Sequence, residues 1–305
     1  MLERQRMAVA NRIKPSSFLS VANDYVSLTK PPIILLLLVS AVGSMFLAAQ
    51  GAPPLGLVVL VCVGGTLGAG GANALNQYLE QDIDGMMSRT AQRPLPGNRI
   101  APVSCLVFGV LLNVASFLIL ATLVNLLAAV LTLAATLFYV FVYTLWLKRT
   151  TPQNIVIGGA AGSIPPLVGW VAVTGTLDLP ALYLFGIIFI WTPPHFWALA
   201  LLIQGDYKRA GIPMLPVVTS REHTVKNIFL YSLVLVALTL LFAATSAVSW
   251  IYLGAALLLG TIFIGLAWRL IRDLTTRHAR QLYLYSLLYL ALLFAGMIVD
   301  STISL

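Results

Sequence analysis

Asn76, Glu80 and Asp84 fall at i, i+4 and i+8 in the run Asn76-Gln77-Tyr78-Leu79-Glu80-Gln81-Asp82-Ile83-Asp84. On a helix that spacing sets three oxygen-bearing side chains along one face, about 6 Å of rise apart. Oxygen donors suit a hard cation, and Mg2+ commonly takes one or two carboxylates together with substrate phosphates. Asp82 would point to the far side of a continuous helix and reaches the same ion only where the helix unwinds. Arg89 and Arg93 follow, and guanidinium groups fork onto phosphate oxygens. The plain alternative is a polar helix end whose acids pair with these arginines. Polar groups at the end of an apolar span favour function over that reading.

A second run of the same character is Gln204-Gly205-Asp206-Tyr207-Lys208-Arg209, leading to Pro213-Met214-Leu215-Pro216. Asp206 is a possible metal ligand, and equally a possible ion-pair partner of Lys208 or Arg209. The likeness of the two runs hints at an internal repeat of four helices. Lys148 and Arg149 end another apolar stretch, where they either bind an anion or anchor a span. Two acidic patches with flanking bases, each at the end of an apolar helix, suit a ligand with an anionic head and a greasy tail. A prenyl diphosphate is such a ligand, with Mg2+ and basic side chains stabilising the departing diphosphate.

The elements that must position these residues are membrane helices. Of 305 residues, 59% are hydrophobic and 9% charged, and the mean hydropathy is +0.94. An ordinary soluble domain carries about 25% charge. Soluble enzymes, disordered scaffolds and secreted disulfide folds are thereby excluded, and the net charge of +8 does not imply a nucleic-acid partner. Nine apolar runs reach spanning length: 31–50, 55–79, 101–121, 124–147, 154–174, 179–203, 227–247, 250–268 and 281–299. Stretches such as Ile33 to Val39 do not alternate, so a β-barrel is excluded. The expected fold is all-α: a polytopic bundle of about nine transmembrane helices. Residues 1–30 form a basic cytoplasmic arm, and 31–305 a single transmembrane domain.

With the N-terminus inside, all 18 Lys and Arg fall on the inner side, as do eight of the ten acids; only Asp178 and Asp300 lie outside. That asymmetry predicts N-in, C-out. The arm has no apolar core or cleavage pattern of a signal peptide; its basic character suggests a mitochondrial presequence, against which Glu3 and its short length argue. Cys62 and Cys105 read as small buried hydrophobes. The glycine runs Gly64 to Gly71 and Gly158 to Gly162 read as close helix contacts, the second also as room for a substrate.

The chain resembles the UbiA-type intramembrane prenyltransferases, and within them the branch that farnesylates haem. The resemblance rests on Leu28-Thr29-Lys30-Pro31, on Asn76 through Asp84 with Arg89-Thr90 and Arg93-Pro94-Leu95, and on Tyr143-Thr144 with Leu147-Lys148-Arg149. It continues through Asn154 to Gly159, Pro165-Pro166, Pro194-His195-Phe196-Trp197, and Asp206-Tyr207 to Pro213-Met214-Leu215-Pro216. It implies transfer of a farnesyl group from farnesyl diphosphate to a vinyl carbon of haem B, followed by addition of water.

The family's first acidic motif maps onto Asn76, Glu80 and Asp84, with Asp82 between. Of the second motif only Asp206 is present, which puts a full second metal site in doubt, and Pro32 stands where many relatives have Arg. The implied metal set is Asn76, Glu80, Asp82, Asp84 and Asp206 with Mg2+. The implied diphosphate set is Arg89, Arg93, Lys148, Arg149, Lys208 and Arg209. His195 and Trp197 are the implied haem contacts; for His195 the plain alternative is a hydrogen bond to a carbonyl freed by Pro193 and Pro194, the sharper one a haem-iron ligand. Haem A synthase or terminal-oxidase subunits are the implied partners beyond the lipid bilayer. The implied location is the bacterial cytoplasmic membrane, with the mitochondrial inner membrane as second reading. Other readings are a quinone-precursor or chlorin acceptor, and a transporter. The crowding of ionisable groups on one face disfavours the transporter, and His195 with the single-Asp second motif favours haem.

Overall fold

A computed structural model describes residues 18–303; most of the basic arm (1–17) lies outside them. Among the described residues nine helices are long and apolar enough to cross a membrane: Pro31–Ala49, Leu55–Leu79, Pro102–Leu123, Leu126–Thr150, Asn154–Thr174, Leu179–Leu202, Arg221–Phe242, Trp250–Arg272 and Thr276–Ile303. They are called spans one to nine. The protein is an integral membrane protein, and the all-helical bundle agrees with the sequence. Several boundaries move. Span seven starts at Arg221, not 227, because Ser220 caps it by accepting from the His223 amide at 3.1 Å. Spans eight and nine carry Arg272 and Arg277 within their ends, leaving a three-residue connection.

Spans five and six form the centre: 61% and 67% of their apolar windows are buried, against 22–39% in the other seven. Spans seven and nine pack on span six, span eight packs on spans seven and nine, and span nine closes back on span one. Spans three and four present Leu111, Leu118, Phe141 and Trp146 outward, as a lipid-facing surface requires. Spans two and three pack most extensively. A Cβ on Gly71 would lie 2.7 Å from the Gly109 carbonyl oxygen, so only glycine permits that approach.

Two spans depart from regular α-helix. Span five breaks at Ser163-Ile164, before Pro165-Pro166. Span four becomes a π-helix over Phe138–Leu147, a form often found at functional sites. Span six, in contrast, stays helical through Pro193 and Pro194.

The nine spans alternate, so one face of the bundle gathers the connections near residues 80–101, 151–153, 203–220 and 273–275. A short helix, Phe18–Thr29, leads into span one on the same face. Lys30 joins the two with φ +56°, a left-handed backbone uncommon for lysine. Pro31 disfavours α backbone at the preceding residue. Span two holds this turn: Asn73 Nδ2 donates to the Thr29 carbonyl and Gln77 Nε2 to the Leu28 carbonyl, both at 2.9 Å. These bonds occupy helix-end carbonyls that have no partner within their own helix. On the opposite face the Asp300 carboxylate accepts from the amides of Ser249 and Tyr252 at 2.7 and 3.0 Å, fastening span nine to the start of span eight.

Candidate prenyl diphosphate site

Span two ends at Leu79, and its last turn leads through Glu80 into the short helix Gln81–Asp84. The chain stays close to helical across this joint, since the Glu80 amide donates to the Asn76 carbonyl and the Asp84 amide to the Glu80 carbonyl. Asn76, Glu80 and Asp84 therefore share a face, and each is only 2% exposed. Burial of two carboxylates requires partners, and the structure supplies three cations from different parts of the chain.

Lys30 Nζ donates to Asn76 Oδ1 at 2.8 Å. Lys148 Nζ lies 2.5 Å from Glu80 Oε1. Arg93 Nη1 is 2.7 Å from both oxygens of Asp84. Asn76 Nδ2 donates to Thr144 Oγ1 at 3.1 Å. Thr144 Oγ1 in turn donates to the Tyr139 carbonyl at 2.8 Å, five residues back within the π-helix. The π-helix thus sets both Thr144 and Lys148 against span two. Burial, with Arg93 beside it, pushes the Lys30 ammonium down to about 7.

The second loop joins this cluster through one contact that the sequence did not reveal. Ser88 Oγ donates to Asp206 Oδ2 at 2.7 Å, and Arg209 pairs with the other oxygen of Asp206. Asp206 is itself buried. Beneath the two loops lie Ile83, Met87, Ile155, Tyr207 and Ile212, with Tyr143 and Phe196 packed against them. Burial raises the Tyr207 hydroxyl above its ordinary range, while the nearby Arg89 works to lower it.

Other expected residues stand apart. Asp82 is 60% exposed and forms a two-pronged pair with Arg149, at 2.8 and 2.9 Å. Arg149 also donates to the Leu79 carbonyl, and holds the Asp82 carboxyl below its usual range. The pair sits on the outer side of the joint, away from Asn76, Glu80 and Asp84. Arg89 and Lys208 are exposed on the same face of the bundle. Gly158 and Gly159 leave no room for a substrate, because Tyr143 and Thr192 fill the space beside them.

His195 and Trp197 diverge along span six. Trp197 is buried in the core against Tyr231, on the far side of the helix from His195. His195 bonds not to a freed carbonyl but to a side chain: Nδ1 lies 2.7 Å from Ser286 Oγ of span nine. Trp191 and Tyr283 stack on its ring at centroid distances of 4.3 and 5.0 Å, and Phe196 meets it edge-on. Phe196 is also part of the apolar cluster beneath the acidic loops, so aromatic side chains connect the two places.

The profile of the UbiA prenyltransferase family matches residues 36–293. The chain belongs to the UbiA prenyltransferase family. It is 52% identical over 280 residues to "Protoheme IX farnesyltransferase" of Gloeobacter violaceus, covering 92% of both chains. It is 50% identical over 284 residues to the protein of that name from Symbiobacterium thermophilum, covering 92% of this chain and 95% of that one. Against a Roseiflexus protein of the same name the identity is 52% over 93% of this chain, which spans only 53% of that longer protein.

Solved structures share the UbiA fold at low identity. Digeranylgeranylglyceryl phosphate synthase superposes with a TM-score of 0.77 at 17% identity, over 93% of this chain and 99% of that one. A UbiA homolog from Archaeoglobus fulgidus bound to GPP and Mg2+ gives 0.65 at 17% identity, over 90% and 99%.

Proposed function

We propose that this chain transfers the farnesyl group of farnesyl diphosphate to a vinyl carbon of haem B, giving hydroxyethylfarnesyl haem after addition of water. The observation that carries the reading is the 52% identity, over nine-tenths of both chains, with a relative named for that activity. The cluster of three cations on buried Asn76, Glu80 and Asp84 supports it, because the same groups suit a diphosphate head.

Asn76, Glu80, Asp84 and Asp206 offer the hard oxygen donors that Mg2+ takes. Among the described residues no three His, Cys, Asp or Glu side chains already converge as a metal cage. Mg2+ commonly takes one or two carboxylates and completes its shell with substrate phosphates. When bound, Mg2+ would neutralise charge on the departing diphosphate.

The chain's own part follows from its ion pairs. Lys148 and Arg93 pair with Glu80 and Asp84, which keeps the buried carboxylates compensated, and Lys30 donates to the Asn76 amide oxygen beside them. With Mg2+ held by Glu80 and Asp84, Lys148, Arg93 and Lys30 would face phosphate oxygens, where Arg93 could bind with two parallel bonds. They favour departure of diphosphate by stabilising the charge that develops on it. Arg209, freed from Asp206, and the exposed Arg89 and Lys208 extend the basic rim. Tyr143, Tyr207 and Phe196 border the site on its membrane side and exclude water from an allylic cation. Asp82 and Arg149 brace the joint from outside. His195 faces the haem, and the basic face lies in the bacterial cytoplasm.

The test is an acceptor panel. Purified protein with farnesyl diphosphate and Mg2+ is offered haem B, a chlorin and an aromatic quinone precursor. Consumption of haem B alone supports the reading; consumption of another acceptor in its place overturns it.

A further inference from the structure

We infer that His195 is an axial ligand to the iron of the haem acceptor through Nε2, and that Ser286 holds it in the ligating tautomer. The inference rests on the farnesyl-to-haem reading above and assigns a geometry to it. A serine hydroxyl carries one proton. Ser286 Oγ lies 2.7 Å from the Tyr283 carbonyl oxygen, which can only accept, so the proton is directed there. The lone pairs of Ser286 Oγ are then left for His195 Nδ1, also at 2.7 Å. Nδ1 must donate, and Nε2 keeps its lone pair in the plane of the ring.

That lone pair has no hydrogen-bond partner among the described residues, and Nε2 is not one of the polar atoms sealed from space without a partner. Nδ1 is thus committed to Ser286, while the unpaired and reachable Nε2 lone pair is available to a ligand. The ring is also fixed. Trp191 stacks on it within 16° of parallel and Tyr283 within 29°. Trp191 is itself tied to span nine, donating from Nε1 to the Ser286 carbonyl at 2.8 Å. A neutral imidazole whose Nδ1–H is bonded to oxygen and whose Nε2 is open is the arrangement that orients metal-bound histidines. Imidazole is also a common haem-iron ligand. Phe196, edge-on to this ring at 5.0 Å, packs in the same cluster as Tyr143 and Tyr207 beside the acidic loops. A haem anchored at His195 is thus placed next to the prenyl diphosphate site.

The experiment titrates the full chain, in detergent, with ferric and ferrous haem B and reads the absorption and electron paramagnetic resonance spectra. The wild type is expected to give a histidine-ligated spectrum. His195→Gly is expected to lose that spectrum, and added imidazole to restore it. Ser286→Ala should weaken haem binding roughly tenfold, and Ser286→Thr should retain it. Binding of farnesyl diphosphate, unchanged in each variant, verifies folding. Should His195→Gly fail to fold, Ser286→Ala against Ser286→Thr decides. A histidine-ligated spectrum that survives His195→Gly, or equal haem affinity in both serine variants, overturns the inference. A wild type that converts haem without any histidine-ligated form overturns it while leaving the farnesyl-transfer reading standing. A wild type that neither binds nor converts haem overturns both.

Discussion

Lys148 Nζ and Glu80 Oε1 lie 2.5 Å apart, tying the π-helical end of span four to the end of span two. Glu80 is 2% exposed in its side chain and Lys148 14%. Removing one member of a buried pair leaves the other uncompensated, at about 3–5 kcal/mol when burial is complete, and less here because Lys148 keeps some water. Glu80→Gln is therefore expected to lower both thermal stability and turnover. The double variant Glu80→Gln with Lys148→Met should regain melting temperature in detergent without regaining activity. Recovery of both would show that the pair serves only the fold.

Asp82 and Asp84 are two residues apart and face different surroundings. Asp82 pairs with Arg149 in solvent, where such a pair contributes under about 1 kcal/mol. Asp82→Asn should keep turnover within about twofold, whereas Asp84→Asn should lose about a hundredfold or more. The Asp82 carboxyl is held below its usual range by Arg149. Its small stabilisation is thus present above the unfolded value and is lost as pH falls through the folded one. Melting curves of the wild type and Asp82→Asn should converge only below about pH 4. An inactive Asp82→Asn would make Asp82 a ligand after all.

Ser88 joins the two acidic loops through Asp206. Loss of one hydrogen bond of about 1 kcal/mol corresponds to about a fivefold change in an equilibrium. Ser88→Ala should raise KM for farnesyl diphosphate by about that factor and leave kcat nearly unchanged. A fall in kcat with constant KM would place Ser88 in the chemical step.

Gly158 lets the π-helix lie against span five. A Cβ there would come within 2.2 Å of Tyr143 Cδ2, whereas nothing lies within 4 Å of one on Gly162. Gly158→Ala should cost about 1–3 kcal/mol of stability through overpacking, and Gly162→Ala should be close to neutral. Thermal melts of the two side by side provide the check.

The charge asymmetry between the two faces predicts orientation. With Cys62 and Cys105 replaced, a cysteine at Asn98 should be labelled by an impermeant maleimide only in inside-out vesicles, and one at Thr176 only in right-side-out vesicles. The reverse pattern would place the diphosphate site outside the cell.

Sequence periodicity made the nine spans readable because hydrocarbon imposes apolar side chains over a fixed length. The i, i+4, i+8 spacing likewise placed Asn76, Glu80 and Asp84 on one face, and the same geometry turned Asp82 away. Other features depend on distant backbone. Nothing local marks Phe138–Leu147 as a π-helix, since its residues are as apolar as any other span. Ser88 and Thr144 gained their contacts only when loops and helices far apart in sequence met. The proline pair at 193–194 offered a freed carbonyl as the partner of His195, yet span six stays helical there and the partner is Ser286, 91 residues away. The motif Leu28-Thr29-Lys30-Pro31 was visible, but its purpose emerged only with Asn73, Asn76 and Gln77 gathered around the turn.

The most direct test of the account is product formation in proteoliposomes that contain only this chain, haem B, farnesyl diphosphate and Mg2+. The expected result is one diphosphate released for each haem that gains a farnesyl group and a hydroxyl, detected by mass spectrometry, with release abolished by chelator and by Asp84→Asn. Unchanged haem beside intact farnesyl diphosphate, in protein shown to be folded, would contradict it.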